Sequence, residues 1–279
     1  MRRRLIDRDD TSYGIGLGPL TTLGKALALW ARNLLPLTGF ALVPALGTLA
    51  FEWLALAGMT DSGMTPVEAQ QTAASVSGLM TFPLAFGATA ATFLLLDARI
   101  RGAAAQPPSA NFYGRGLKLF GRLFGVYFLM GLVVLAPLVP AGVMWKLDLI
   151  AVAIPLGAIA IGFDVWLLVR WSMAAPIAVL EDQTFSVAFA RSKELVKGAW
   201  WRTFATLLLI GLATAALTWG IWEAGGAIGD VAETDGITAQ ALPNFAISVI
   251  TTPPLDCVLF ALYAALHDRQ RSNREPNDS

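Results

Sequence analysis

Six long runs of apolar residues, separated by short polar segments, organise this sequence. About 20 apolar residues cross a bilayer core as a helix, so each run predicts one transmembrane span. Tryptophan and arginine stand at several ends of the runs, as is typical of residues at the level of the lipid headgroups. The predicted spans are 34–58, 78–96, 121–143, 149–169, 203–222 and 244–266. The predicted fold class is therefore all-α: a polytopic transmembrane helical bundle of about six spans, arranged as three hairpins.

Basic, amphipathic segments precede the first, third and fifth spans. They cover residues 22–33, 109–122 and 184–202. In the last of them, apolar residues recur at helical spacing while Arg191, Lys193 and Lys197 take the other face. Such helices are expected to lie in the cytoplasmic interface, with their apolar side toward the lipid and their cations toward the headgroups. Repeated hairpins of this plan are compatible with a transporter and equally with a duplicated scaffold.

Composition and charge support a membrane protein with a defined orientation. The chain is 56% hydrophobic and 14% charged, whereas soluble domains carry about 25% charged residues. The formal net charge is zero, but nearly every Lys and Arg falls on one side of the six runs and only Lys146 on the other. Short loops rich in Lys and Arg stay in the cytoplasm, so both termini are predicted to be cytoplasmic.

The charge pattern also sets the expected division of the chain. Residues 1–20 are expected to form a flexible cytoplasmic arm, because Asp7, Asp9 and Asp10 follow the first arginines where a signal peptide would carry an apolar run. Residues 21–270 are predicted to form a single transmembrane domain and residues 271–279 a cytoplasmic tail.

The cations of the cytoplasmic face are the first set of candidate site residues. Each well-placed cation contributes about 1 kcal/mol of attraction to an anionic membrane surface. We therefore predict the bilayer and its anionic lipid headgroups as partners, leave a membrane-protein partner open, and expect no nucleic-acid binding. The predicted interfacial basic residues are Arg191, Lys193, Lys197, Arg202, Lys118 and Arg122.

Ionisable residues inside the spans form the second set. Asp256 lies 13 residues before Arg269, about 19 Å along a helix, and therefore near the middle of the membrane. The preceding residues Thr252, Pro253 and Pro254 predict a broken helix, because proline removes a backbone donor and displaces a carbonyl. An acid beside a broken helix forms the ion or proton site of some transporters. The alternative is a kinked packing helix whose Asp256 bonds to a polar residue on a neighbouring helix.

Two further acids are treated in the same way. Asp164 lies six residues before Arg170, and we expect it to pair with a basic residue of a neighbouring helix. Glu52 is adjacent to Trp53 near the outer end of its span, and we expect its carboxylate to reach the outer surface without a functional role.

Candidate catalytic groups are few. The chain has one histidine, His267, and one cysteine, Cys257. No His/Cys cluster has metal-ligand spacing, and no nucleophile elbow or phosphate-binding loop occurs in its proper context. The sequence is therefore expected to be non-enzymatic, with no metal and no cofactor.

Three segments carry a resemblance to a known family: residues 170–181, residues 190–202 and the last span with its ending Ala261-Leu262-Tyr263-Ala264-Ala265-Leu266-His267-Asp268-Arg269. Together they resemble the membrane-domain family named after bacterial glycerophosphoryl diester phosphodiesterases. Lys193 departs from the Trp that is common after Arg-Ser in that family, and His267-Asp268 departs from its Asp-Leu-Arg-like endings. The resemblance implies a bacterial inner-membrane protein. It implies little about activity, because the family name comes from a catalytic domain fused to some members.

Three function classes follow. The first is a non-enzymatic membrane or lipid-homeostasis factor, acting as a scaffold or partner. The second is a transporter or channel that uses Asp256 at a proline-broken sixth helix. The third, a lipid-metabolising enzyme, is disfavoured by the missing catalytic groups.

Overall fold

The computed structural model describes residues 13, 18–59, 63, 65–102, 109–232 and 236–273. These residues form ten α-helices and no strand. The helices are α1 (Pro19–Arg32), α2 (Leu34–Met59), α3 (Pro66–Ile100), α4 (Ser109–Lys118), α5 (Phe120–Lys146), α6 (Ile150–Trp171), α7 (Ala174–Leu180), α8 (Phe185–Val196), α9 (Trp200–Ala232) and α10 (Gly236–Ser272).

Six helical stretches are long and apolar enough to cross a membrane, which confirms the predicted number of spans. They are Leu34–Met59, Gln71–Ile100, Phe120–Lys146, Ile150–Leu180, Trp200–Gly225 and Pro243–Ser272. The fourth stretch is longer than predicted because α7 follows α6 after a short turn. The chain is therefore an all-α, multi-pass membrane protein.

The chain divides into two compact units, each made of segments distant in sequence. The first unit is formed by Met1–Thr22, Gly121–Leu207 and Ala261–Ser279, and the second by Leu23–Phe120 and Leu208–Phe260. Most of the predicted arm 1–20 and the tail from residue 274 lie outside the described residues. The single domain 21–270 stays a prediction.

Helix α3 begins well before the predicted span 78–96. The Thr65 side chain caps the Glu68 backbone N–H (3.3 Å), and the Glu68 carboxylate accepts from the Thr65 N–H (2.9 Å). Pro66 occupies the first turn, where its missing N–H costs nothing. This capping box starts the helix at Pro66. The Thr65 hydrogen bonds also lower the pKa of Glu68.

Helices α2, α3 and α4 pack together in the second unit. Thr48 of α2 and Thr81 of α3 lie 3.0 Å apart through their hydroxyl oxygens, so these spans form the predicted hairpin. Short helix α4 crosses α3 with its backbone close to that of α3, and Gly116 faces the Gly87 carbonyl oxygen there. Tyr113 donates to the Leu84 carbonyl oxygen (3.0 Å), and burial raises the pKa of Tyr113 to about 12, so the phenol remains a donor at neutral pH.

Helix α10 overturns the predicted break at Pro253 and Pro254. It is assigned as α-helix from Gly236 to Ser272, through both prolines. Two proline rings weaken the helix locally, because they remove donors to the carbonyls four residues earlier. Upstream, Thr251 donates its hydroxyl to the Ile247 carbonyl oxygen (2.7 Å). That carbonyl is not one of the two, at residues 249 and 250, from which the prolines remove a donor.

Helix α8 packs inside the first unit rather than resting on lipid alone. Ala188, Phe189 and Leu195 are buried, and α8 contacts both α6 and α7. The Ser192 hydroxyl donates to the Arg170 carbonyl oxygen (2.9 Å) and accepts from the Met173 backbone N–H (3.2 Å). The apolar side predicted to face the membrane is therefore largely covered by protein, and α8 is fixed against the end of α6.

Candidate functional site

A cavity of about 400 Å³ in the first unit gathers positive charge at one end of a span. It lies where α6 ends, α8 ends and α9 begins. Three of its lining residues are cations and one is an acid, which leaves a formal charge of +2. The lining residues that matter here are Trp166, Arg170, Lys193, Glu194, Lys197 and Trp200. The cavity therefore combines a cationic rim with indole surface.

Tryptophan contacts hold two sides of the cavity in place. The Arg170 guanidinium lies over the Trp166 ring, 4.7 Å from its centroid, within the range of a cation–π interaction. The Trp200 indole N–H donates to the Trp166 carbonyl oxygen (3.4 Å), which joins α9 to α6. These contacts keep the Arg170 guanidinium beside the indoles.

The turn between α8 and α9 places Lys197 at the cavity. Gly198 has φ = +76°, a conformation that glycine adopts without a Cβ penalty. The Arg269 guanidinium donates to the carbonyl oxygens of Lys197 (3.3 Å) and Gly198 (3.1 Å). The end of α10 thus secures the turn, while the Lys197 ammonium remains exposed.

The six predicted interfacial cations have different surroundings in the structure. Lys193 and Lys197 line the cavity, and Lys118 and Arg202 are exposed away from its lining. Arg191 lies 3.6 Å from Glu181 and 3.7 Å from Glu194, with only 19% of its side chain exposed. Arg122 pairs with Asp182. Arg191 and Arg122 are therefore engaged with protein carboxylates, a placement that suits fixing the fold better than facing headgroups.

Asp256 is 5% exposed on α10 of the second unit. The Thr89 side chain of α3 hydrogen bonds to it. This is the kind of polar neighbour that the packing interpretation anticipated. Thr252 is partly buried, Pro253 is buried, and Pro254 is partly buried on the same continuous helix.

Asp164 belongs to the first unit, whereas Asp256 belongs to the second. Asp164 is 5% exposed, and its Oδ1 has no hydrogen-bond partner among the described residues. The expected ion pair with a neighbouring cation is not formed within that part of the chain.

Trp166, Arg170, Glu194 and Trp200 are the site residues that the sequence reasoning missed. The available signal is the repeated occurrence of Trp and Arg at the ends of spans, a pattern that marks the membrane interface and does not by itself indicate a cavity. No family model, curated protein or solved structure matches this chain. The resemblance to the phosphodiesterase membrane-domain family therefore stays a prediction.

Proposed function

We propose that this chain is a non-enzymatic protein of the bacterial inner membrane that acts as a membrane or lipid-homeostasis scaffold by holding an anionic phospholipid headgroup. The single observation that carries the proposal is the cavity lined by Arg170, Lys193 and Lys197 with Trp166 and Trp200. Both termini would face the cytoplasm, following the distribution of Lys and Arg.

The chemistry of the cavity suits a phosphodiester attached to an acyl chain. Arg170 offers a planar guanidinium, and Lys193 and Lys197 offer compact ammonium groups, so a phosphate in the cavity would receive several charge-assisted hydrogen bonds. The indoles supply amphipathic surface of the kind found at the headgroup level. Glu194 is an acceptor for hydroxyl or ammonium groups of the headgroup, which would favour a lipid over a bare phosphate.

Removing the two lysine charges is expected to weaken headgroup binding. At about 1 kcal/mol per cation, Lys193→Gln with Lys197→Gln should lower the apparent affinity for phosphatidylglycerol by about thirtyfold. Native mass spectrometry of the purified protein, titrated with phosphatidylglycerol and with phosphatidylcholine, measures the retained lipid. The wild type should prefer the anionic lipid, and inorganic phosphate should compete weakly.

A matched control distinguishes a cavity from a generally cationic surface. Lys118→Gln with Arg202→Gln removes the same charge from exposed positions outside the lining. This pair should change lipid retention by less than about threefold, because neither side chain lines the cavity proposed to hold the headgroup. Equal losses in both double variants would refute a specific headgroup site.

The transporter alternative makes a different prediction at Asp256. Because a Thr89 hydrogen bond supports a packing role, Asp256→Asn should assemble normally and keep a thermal midpoint within a few degrees of the wild type. Vesicles containing the purified protein and a trapped pH-sensitive dye test for proton flux. A wild-type flux that disappears in the folded Asp256→Asn protein would favour transport over the scaffold.

A further inference from the structure

Glu52 is a buried acid, contrary to the expectation that it reaches the outer surface. Its residue exposure is 4%, whereas the adjacent Trp53 is 55% exposed. Among the residues that the structure describes, the Glu52 carboxyl group has no hydrogen-bond or ion-pair partner. A charged group within a membrane span is costly without a partner, so its burial needs an explanation.

Glu52 lines a small cavity in the second unit. Its volume is about 30 Å³, and its polar lining residues are Thr48 and Glu52 of α2 with Asn244 and Ser248 of α10. A cavity of this size accommodates about one water molecule or one small dehydrated ion. The polar groups come from two different helices, so the cavity depends on the packing of the spans.

Two hydroxyl groups that line the cavity hydrogen bond to backbone carbonyl oxygens of their own helices. Thr48 Oγ1 donates to the Pro44 carbonyl oxygen (3.0 Å), and Ser248 Oγ donates to the Asn244 carbonyl oxygen (2.9 Å). Thr48 Oγ1 also lies 3.0 Å from Thr81 Oγ1, and either hydroxyl can be the donor of that bond. A hydroxyl has only one proton. Thr48 and Ser248 therefore offer lone pairs, and neither donates to the Glu52 carboxylate.

Acceptor oxygens grouped with one carboxylate form an arrangement that a bound cation would stabilise. Hydroxyl, carboxylate and amide oxygens are hard ligands, and the Asn244 side chain can present its carbonyl oxygen. One negative charge matches a monovalent ion. Calcium takes six to eight oxygens and magnesium keeps several waters, which is more than this cavity holds. We propose that Glu52, Thr48, Ser248 and Asn244 form a binding site for Na⁺ within the membrane.

The test measures whether Na⁺ stabilises the purified full-length protein. Thermal unfolding is followed by tryptophan fluorescence in choline chloride, with NaCl or KCl replacing choline at constant ionic strength. A saturable rise in Tm of about 5 °C is expected once Na⁺ exceeds its Kd about a hundredfold. KCl should give a smaller rise at equal concentration. Direct binding of ²²Na⁺ provides a second, independent readout.

Glu52→Gln keeps the shape of the side chain and removes its charge. The variant should fold and lose both the Na⁺-dependent rise in Tm and ²²Na⁺ binding. Glu223→Gln, which changes an exposed acid, should behave as the wild type. If Glu52→Gln does not fold, Ser248→Ala removes one oxygen instead and should raise the Kd for Na⁺ about tenfold.

Two results would overturn the site. One is a wild-type protein that binds no ²²Na⁺ and unfolds at the same temperature in NaCl and choline chloride, which would assign the cavity to water or to a protonated acid. The other is undiminished Na⁺ binding by folded Glu52→Gln. Neither result bears on the headgroup cavity, which is formed by other residues.

Discussion

Gly116→Ala is expected to prevent α4 from packing against α3 and to cause one of the largest losses of stability among alanine substitutions of the glycines that the structure describes. A Cβ at position 116 would collide with the Gly87 carbonyl oxygen and would lie 3.0 Å from the Ala91 backbone nitrogen. Both are backbone atoms of α3, so they move only if the helix moves. Overpacking typically costs 1–3 kcal/mol, and we expect about 3 kcal/mol or more here.

Gly114→Ala on the same helix is the matched control. A Cβ there meets nothing within 4 Å, and the position is exposed. Alanine favours the helix over glycine by up to about 1 kcal/mol, so this variant should be as stable as the wild type or slightly more stable. Thermal unfolding in detergent and the yield of monodisperse protein measure both. Similar unfolding midpoints for Gly116→Ala and Gly114→Ala would show that α3 and α4 can move apart without a loss of stability.

Gly87→Ala probes the same crossing from the other helix. Its Cβ would lie 2.8 Å from Leu117 Cδ2, the far end of a flexible side chain. Leu117 is 37% exposed and has room to change rotamer. The loss of stability should therefore fall between those of Gly114→Ala and Gly116→Ala.

The length of the apolar runs was sufficient to predict the spans. The backbone polar groups of each span have to be hydrogen-bonded within an α-helix, whichever helices it packs against. The start of α3 at Pro66 is set by helix-capping residues, and these are present in the sequence Thr65-Pro66-Val67-Glu68. That capping box precedes the apolar run, so hydrophobic length alone places the start of the helix too late.

Tertiary contacts decided the rest. The sequence places Arg191, Lys193 and Lys197 on one helix, and periodicity alone treats them alike. Only the packing of α8 separates Arg191, paired with Glu181, from the lysines that line the cavity with Arg170. The burial of Glu52 could not be predicted from the sequence either, because it depends on which face of α2 packs against other spans. Single-sequence patterns carry no information on such pairings.

Ser192→Ala is the second variant with a large expected effect. The residue is fully buried, and its hydroxyl serves both the Arg170 carbonyl oxygen and the Met173 backbone N–H. Alanine fits the space but leaves two buried polar groups without this partner, at about 1–3 kcal/mol each. We expect a loss of about 2–4 kcal/mol in the free energy of unfolding, measured by thermal or denaturant unfolding in detergent.

The same bond sets the position of the headgroup cavity, so Ser192→Ala should have a second consequence. Ser192 joins α8 to the end of α6. It precedes Lys193 in the sequence, and its hydroxyl donates to the Arg170 carbonyl oxygen. Loosening this tie should lower phosphatidylglycerol retention at temperatures where the variant is still folded. Ser186→Ala, an exposed position on α8, should change neither property. A headgroup site that is built by the packing of α8 has to weaken when that packing is loosened. A Ser192→Ala protein that is destabilised but keeps its lipid affinity would therefore show that the headgroup site does not depend on the packing of α8.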